Sequence, residues 1–270
     1  MEFYLLLFCA GLLGGLISGL LGVGGGLVYI FILPIAFLYI GIPEQEVAQY
    51  TIANSLLGTF FAASFATINH IRNKEFYPKA ILIISISSIL SGVLVLNFIV
   101  NTPFYSKEVF NVVVIIIMVL MLLSTLRNAQ KQKLFVERVK FVKRFSSFTG
   151  LSAGSVAALT GLGGGIIIIP FLSEGLKMEI RKAKTISLGV ISVTSLAMVL
   201  FNLFQTPMLP IDMPHTGYII FQVSIPIVVG TLISATFGVK LSRRIPVSTI
   251  SYLFAAFVLI VIFKKLIELI

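Results

Sequence analysis

Eight residues of this chain, Gly19-Leu20-Leu21-Gly22-Val23-Gly24-Gly25-Gly26, recur as Ala158-Leu159-Thr160-Gly161-Leu162-Gly163-Gly164-Gly165, 139 positions later. The same offset carries Gly11 to Gly150 and Gly15 to Gly154. Apolar arms flank each copy, 3–21 and 27–40 in the first, 145–160 and 166–172 in the second. Each glycine costs a helix interior about 1 kcal/mol relative to alanine, so three in a row predict a break. A helix broken inside apolar sequence must have its free backbone groups satisfied by protein or by a water-filled cavity. Paired breaks in two halves of one chain mark the binding region of many transporters.

Hydrophobic residues make up 58% of the chain and charged residues 11%. Mean hydropathy is +1.08. Such a chain lacks the polar surface of a soluble protein of this length, and the expectation is an all-α polytopic membrane protein. The net charge of +10 does not indicate a nucleic-acid partner, because the basic residues lie in loops beside apolar spans. Cys9 is the single cysteine, which excludes an intramolecular disulfide and a multi-cysteine metal site. The N-terminus lacks a basic n-region and its apolar arm is repeated at 145–160, so it reads as a retained segment and not a signal peptide.

Three plain spans follow the first break, at 47–70, 77–100 and 107–126, and three follow the second, at 183–204, 217–239 and 248–268. Each is long enough to cross a core of about 30 Å. The organisation is therefore a first repeat over 1–127 with its hairpin at 3–40, a basic linker over 128–144, and a second repeat over 145–270 with its hairpin at 145–173. Thr51 and Thr185 open corresponding spans, and Gly92 is matched to Gly230 in the next pair. Four loops, 71–79, 127–144, 173–184 and 240–247, hold 17 of the 20 basic residues. If those loops are cytoplasmic, every plain span of the second half runs opposite to its partner, and the repeats are inverted. Stretch 145–173 then begins and ends on the cytoplasmic side, with its glycines at the tip. The longer arms of 3–40 fit either a re-entrant loop or a full crossing. Lys264 and Lys265 fall on the outer side. The expected location is the cytoplasmic membrane, with the lipid bilayer as partner.

All ten acidic residues lie in loops or near span ends, and the spans carry no charge away from their ends. An intramembrane carboxylate relay and a metal-dependent membrane enzyme are both disfavoured, since buried charges there are costly and mark function. No metal, cofactor or catalytic residue is expected. Backbone and neutral polar side chains remain. The second arm of each hairpin starts at a triple glycine, where helix N-terminal N–H groups attract anions without a basic side chain. Candidate substrate-binding residues are Gly24, Gly25 and Gly26 in one half and Gly163, Gly164 and Gly165 in the other. Thr51, Asn54, Ser55, Thr185 and Ser187 complete the set. Hydroxyls and amides also link transmembrane helices at about 0.6 kcal/mol each, which is the competing reading for those five. Gly11, Gly15 and Gly19, four residues apart, are assigned to close helix packing. A second function class is a membrane enzyme or assembly factor acting through the basic linker, whose alternating residues 134–145 suit an amphipathic helix on anionic lipid.

With its two motifs Gly22-Val23-Gly24-Gly25-Gly26 and Gly161-Leu162-Gly163-Gly164-Gly165, the chain resembles the TauE/SafE family of membrane proteins, named for export of sulfite and organosulfonates. The family's apolar run ends at a proline, matched by Pro170. In the first half Phe31 takes that place and Pro34 comes three residues later. The family's threonine at the next helix start matches Thr51 and Thr185. The resemblance implies a transporter of small sulfur-containing anions, most simply an exporter, whose cargo is held at the two glycine breaks.

Overall fold

The computed structural model describes residues 1–130, 143–242 and 244–269. Ten α-helices form among the described residues: α1 (Glu2–Leu21), α2 (Gly26–Tyr39), α3 (Val47–Arg72), α4 (Pro78–Val95), α5 (Lys107–Gln130), α6 (Lys143–Thr160), α7 (Gly165–Pro170), α8 (Ile180–Leu203), α9 (Phe221–Ser242) and α10 (Val247–Ile267). Wider π-helical turns extend α4 through Leu96–Val100 and α7 through Phe171–Gly175. No strand forms among the described residues, where the only β-type pairing is an isolated bridge from Thr216 to Ile219. The chain is an all-α polytopic membrane protein. Six helices among the described residues are long and apolar enough to cross a bilayer: α1, α3, α4, α5, α8 and α9. Most of the basic linker, and with it the amphipathic reading of 134–145, lies outside the described residues.

The span expected from 217 begins instead at Phe221. Residues 216–220 are held as a turn by reciprocal backbone bonds of 3.0 Å between Thr216 and Ile219. The Ile220 N–H is then taken by Asn54 Oδ1 at 3.0 Å, which caps the incoming helix. At 14 residues α2 reaches about 21 Å, short of a full crossing, whereas the 20 residues of α1 reach about 30 Å. The first hairpin therefore pairs an arm long enough to cross with a shorter one.

The helices pack in matched pairs. α3 and α8 are the most enclosed of the spans and lie against each other at the centre. They run antiparallel: His70 near the end of α3 meets Thr185 near the start of α8 at 3.2 Å, while Thr59 and Ile191 flank the same glycine. α5 and α10 are also antiparallel, with Asn111 near one start bonded to Lys265 near the other end at 2.9 Å. Around this centre α1 packs on α9 and α6 packs on α4.

Small residues make those outer contacts possible. A Cβ on Gly11 would overlap the Ile227 carbonyl, one on Gly15 would lie 2.6 Å from the Thr231 carbonyl, and one on Gly19 would lie 2.5 Å from the Ala235 carbonyl. The stripe serves helix packing, as its spacing predicted. On the other side Gly150 is seated on Ile84 and Gly154 on Ser88 and Ser91. Ser88 and Ser91 thus stand to Gly154 as Thr231 and Ser234 stand to Gly15. The match of Gly92 to Gly230 gives way to this register: Gly230 lies on Gly11, and the residue in the corresponding seat on Gly150 is Ser87.

Candidate functional site

Both helix breaks are built the same way. α1 ends because Gly22 turns left-handed at φ 77° and donates its N–H to Ser18 O at 2.8 Å. α6 ends because Gly161 does so at φ 75° and donates to Ala157 O, also at 2.8 Å. Gly24 at φ 86°, Gly163 at φ 82° and Gly164 at φ 78° complete the turns. These values are open to glycine and strained for any L side chain. Gly25 differs from its partner Gly164, holding an ordinary φ of −82°.

The two breaks touch. A Cβ on Gly26 would lie 2.5 Å from the Gly161 carbonyl and 2.8 Å from Leu162 Cα; one on Gly165 would lie 2.8 Å from Val23 Cα and 3.0 Å from the Gly22 carbonyl. Hydroxyls close the crossing reciprocally. Ser55 donates to Gly161 O at 2.8 Å, and Ser187 donates to Gly22 O at 2.9 Å. Ser55 and Ser187 therefore occupy corresponding places in α3 and α8. The same register pairs Thr59 with Ile191, whose methyls sit at the faces of Gly24 and Gly163, and it pairs Ile52 with Lys184, which lie against Gly161 and Gly22.

Gly24, Gly26, Gly163, Gly165, Ser55 and Ser187 are thus brought together. Gly25, Gly164, Asn54 and Thr185 face elsewhere. Gly25 seats the Tyr29 ring, with the hydroxyl 2.6 Å from where its Cβ would be, and Gly164 faces the Ala153 carbonyl at 2.5 Å. Asn54 spends its amide on Tyr50 O (2.7 Å) and Tyr218 O (2.9 Å), and its carbonyl accepts from Ile220 N and Ser224 Oγ. Thr185 lies with His70 and donates to Arg181 O at 3.1 Å. Thr51 and Thr185 are two places out of register, so their similar position at a helix start does not make them structural partners. The Thr51 hydroxyl is buried with no hydrogen-bond partner among the described residues.

Three residues that the sequence pattern did not single out belong here. Thr59 is fully buried, with its methyl at both breaks and its Oγ1 unpartnered among the described residues. Tyr29 fits one ring against Gly14, Gly25 and Gly58 and pairs its hydroxyl with Thr231 at 2.6 Å, tying α1, α2, α3 and α9 together. Lys184, by sequence one of the charges of loop 173–184, lies inside α8, where its Nζ donates to Leu20 O at 3.1 Å. A basic side chain is thus present at the crossing, contrary to the expectation of an all-neutral site. Its spacing of three residues before Ser187, which places both on one helical face, was the available signal.

Two cavities meet at this lysine. One of about 90 Å³ runs between α5, α7, α8 and α10 to Gly165 and Val23. The other, about 140 Å³, is bordered by His70, Glu75, Arg181 and Gly19. On the far side of the breaks Lys264 donates to the Phe31 carbonyl, stands 4.3 Å above the Phe31 ring and pairs with Glu268 at 3.1 Å. Phe31 stands where the other half has Pro170, and the place is filled by this packing.

The model of the sulfite exporter TauE/SafE family matches residues 7–264. The chain belongs to the TauE/SafE family. It is similar to a probable membrane transporter protein of Methanocaldococcus jannaschii, with 29% identity over 251 residues that cover 90% of this chain and 89% of the relative. It is also similar to a probable membrane transporter protein of Haemophilus influenzae, with 25% identity over 270 residues covering 96% and 97% of the two chains. The two glycine motifs and both breaks fall within the TauE/SafE match. With its apolar crossing helices, the chain is a multi-pass membrane transporter of that family.

Proposed function

We propose that this transporter carries small sulfur-containing anions, sulfite or organosulfonates, out across the cytoplasmic membrane, and that the crossing of the two glycine breaks is its selective element. The observation that carries the reading is the reciprocal fit of the breaks: Gly26 on Gly161, Gly165 on Gly22, and a serine from each central helix on the opposite break. Two short helices start there, and their first N–H groups favour an anion. Glycine lets the backbone approach a ligand with no Cβ in the way. The paired packing supports two inverted repeats, because corresponding helices α3 and α8, and α5 and α10, run antiparallel. The two breaks are packed on each other, and a cavity reaches them beside Gly165 and Val23, which fits a site approached from a chamber.

The test is purified protein in vesicles, with efflux followed for sulfite, thiosulfate, sulfoacetate and chloride. The expected outcome is saturable flux of at least one sulfur anion above protein-free vesicles, with chloride slow. Equal rates for all four, or none above the control, would overturn the substrate assignment.

A further inference from the structure

Resting on that transport reading, we propose that Lys184 is the cation of a second, one-sided anion site, which takes a small oxyanion from the cytoplasmic face before it reaches the glycine breaks. Lys184 is partly buried. Among the described residues it forms no ion pair, and its one hydrogen bond is to the Leu20 carbonyl. An ammonium has three donors, so two remain for a ligand. Withdrawing a cation even partly from water without a carboxylate partner is costly, and an anion that enters and pairs with it relieves that cost.

Its position makes it a relay. Lys184 and Ile180 border both cavities, so the lysine stands between the outer chamber and the chamber that touches Gly165. The outer chamber offers Arg181, one turn before Lys184. Its carboxylate, Glu75, lies 2.9 Å from His70. The inner chamber offers the hydroxyls of Ser124, Thr125 and Ser173 beside apolar walls. The lysine stem lies against Gly22, so an ion held at Nζ is next to the first break. The corresponding seat in the other half holds Ile52, which packs on Gly161 as Lys184 packs on Gly22. Of these two corresponding seats, only the one at Gly22 holds a cation. The face carrying Arg181, Lys182 and loop 71–79 is the cytoplasmic one by its charge, so capture is predicted there.

The ligand chemistry is an oxyanion head, which either a free sulfite or sulfonate or a lipid phosphate group supplies. The experiment uses Lys184→Met, Lys184→Gln and Lys184→Arg in vesicles of phosphatidylcholine, with and without phosphatidylglycerol. Sulfite flux is measured from each face. In parallel, sulfite protection against heat unfolding is measured in detergent, which reads binding without transport. Lys184→Met and Lys184→Gln should raise the apparent KM at the cytoplasmic face about tenfold or more, the scale of one charge-assisted hydrogen bond. The opposite face should change less than threefold, Lys184→Arg should stay near wild type, and sulfite should protect wild type but not Lys184→Met. An unchanged KM in both neutral variants, with wild-type flux normal, overturns the site and leaves the transport reading standing. An effect seen only with phosphatidylglycerol assigns the lysine to lipid and overturns it too. If wild type moves no oxyanion while sulfite still protects it through Lys184, the transport reading falls and the site stands.

Discussion

Gly26→Ala and Gly165→Ala should each reduce anion flux at least tenfold while leaving the protein folded. Both residues are first in a helix and neither has a positive φ, so alanine brings no backbone strain. Alanine even favours the helix, by about 1 kcal/mol relative to glycine. The added methyl, however, points into the opposite break: at Gly161 O and Leu162 Cα from position 26, and at Val23 Cα and Gly22 O from position 165. Overpacking of this kind costs about 1–3 kcal/mol, which the helix gain partly offsets. The fold survives, but the two breaks are wedged apart at the proposed anion site. The check is flux in vesicles beside gel-filtration profile and helical circular dichroism. Wild-type flux in well-folded variants would remove the crossing from the transport path. Gly163→Ala and Gly164→Ala are less informative, because their left-handed φ adds strain that mixes folding with function.

Glu46→Ala should produce a large loss of stability. Glu46 is fully buried at the start of α3. Its carboxylate accepts the backbone N–H of Met208 at 2.7 Å and of Leu209 at 3.2 Å, and the Tyr218 hydroxyl at 3.2 Å. Hydrogen bonds to a charged group contribute about 1.5–3 kcal/mol each, and deleting the carboxylate strands all three donors. The expected cost is about 3–5 kcal/mol, read as a fall in thermal midpoint of roughly 10 °C in detergent. Glu46→Gln keeps an acceptor and the side-chain shape and should lose about half as much. A midpoint for Glu46→Ala within 2 °C of wild type, about the shift of 1 kcal/mol or less, would show that this carboxylate does not hold the 205–220 segment in place.

The legible part of this fold was its periodicity. The apolar spans, the two breaks and the packing stripe Gly11, Gly15 and Gly19 follow from residue type and local spacing alone. The register between helices was not legible. Thr51-Ile52 and Thr185-Ile186 look equivalent because each opens a span, yet the contacts pair Ser55 with Ser187 and Ile52 with Lys184. Local spacing cannot say which side of a helix meets a partner more than 100 residues away. Charge misled in the same manner. Lys184 and Glu46 read as loop charges and Lys264 as a charge at the outer end of the last span, but each turns inward to a backbone group. Asn54 reads as a polar group free for a ligand, while its four bonds make it the cap of α9.

The central claim is that corresponding parts of the two halves face opposite sides of the membrane, so that one crossing serves both. Lys74 follows α3 and Asp212 follows its counterpart α8, and both are exposed. With Cys9 replaced by serine, Lys74→Cys and Asp212→Cys should be labelled in intact cells with a membrane-impermeant maleimide. The cysteine at 212 should label from outside, and the one at 74 only after the cells are opened. Equal labelling of both from outside, or of neither, would place the two loops on one face and contradict the claim.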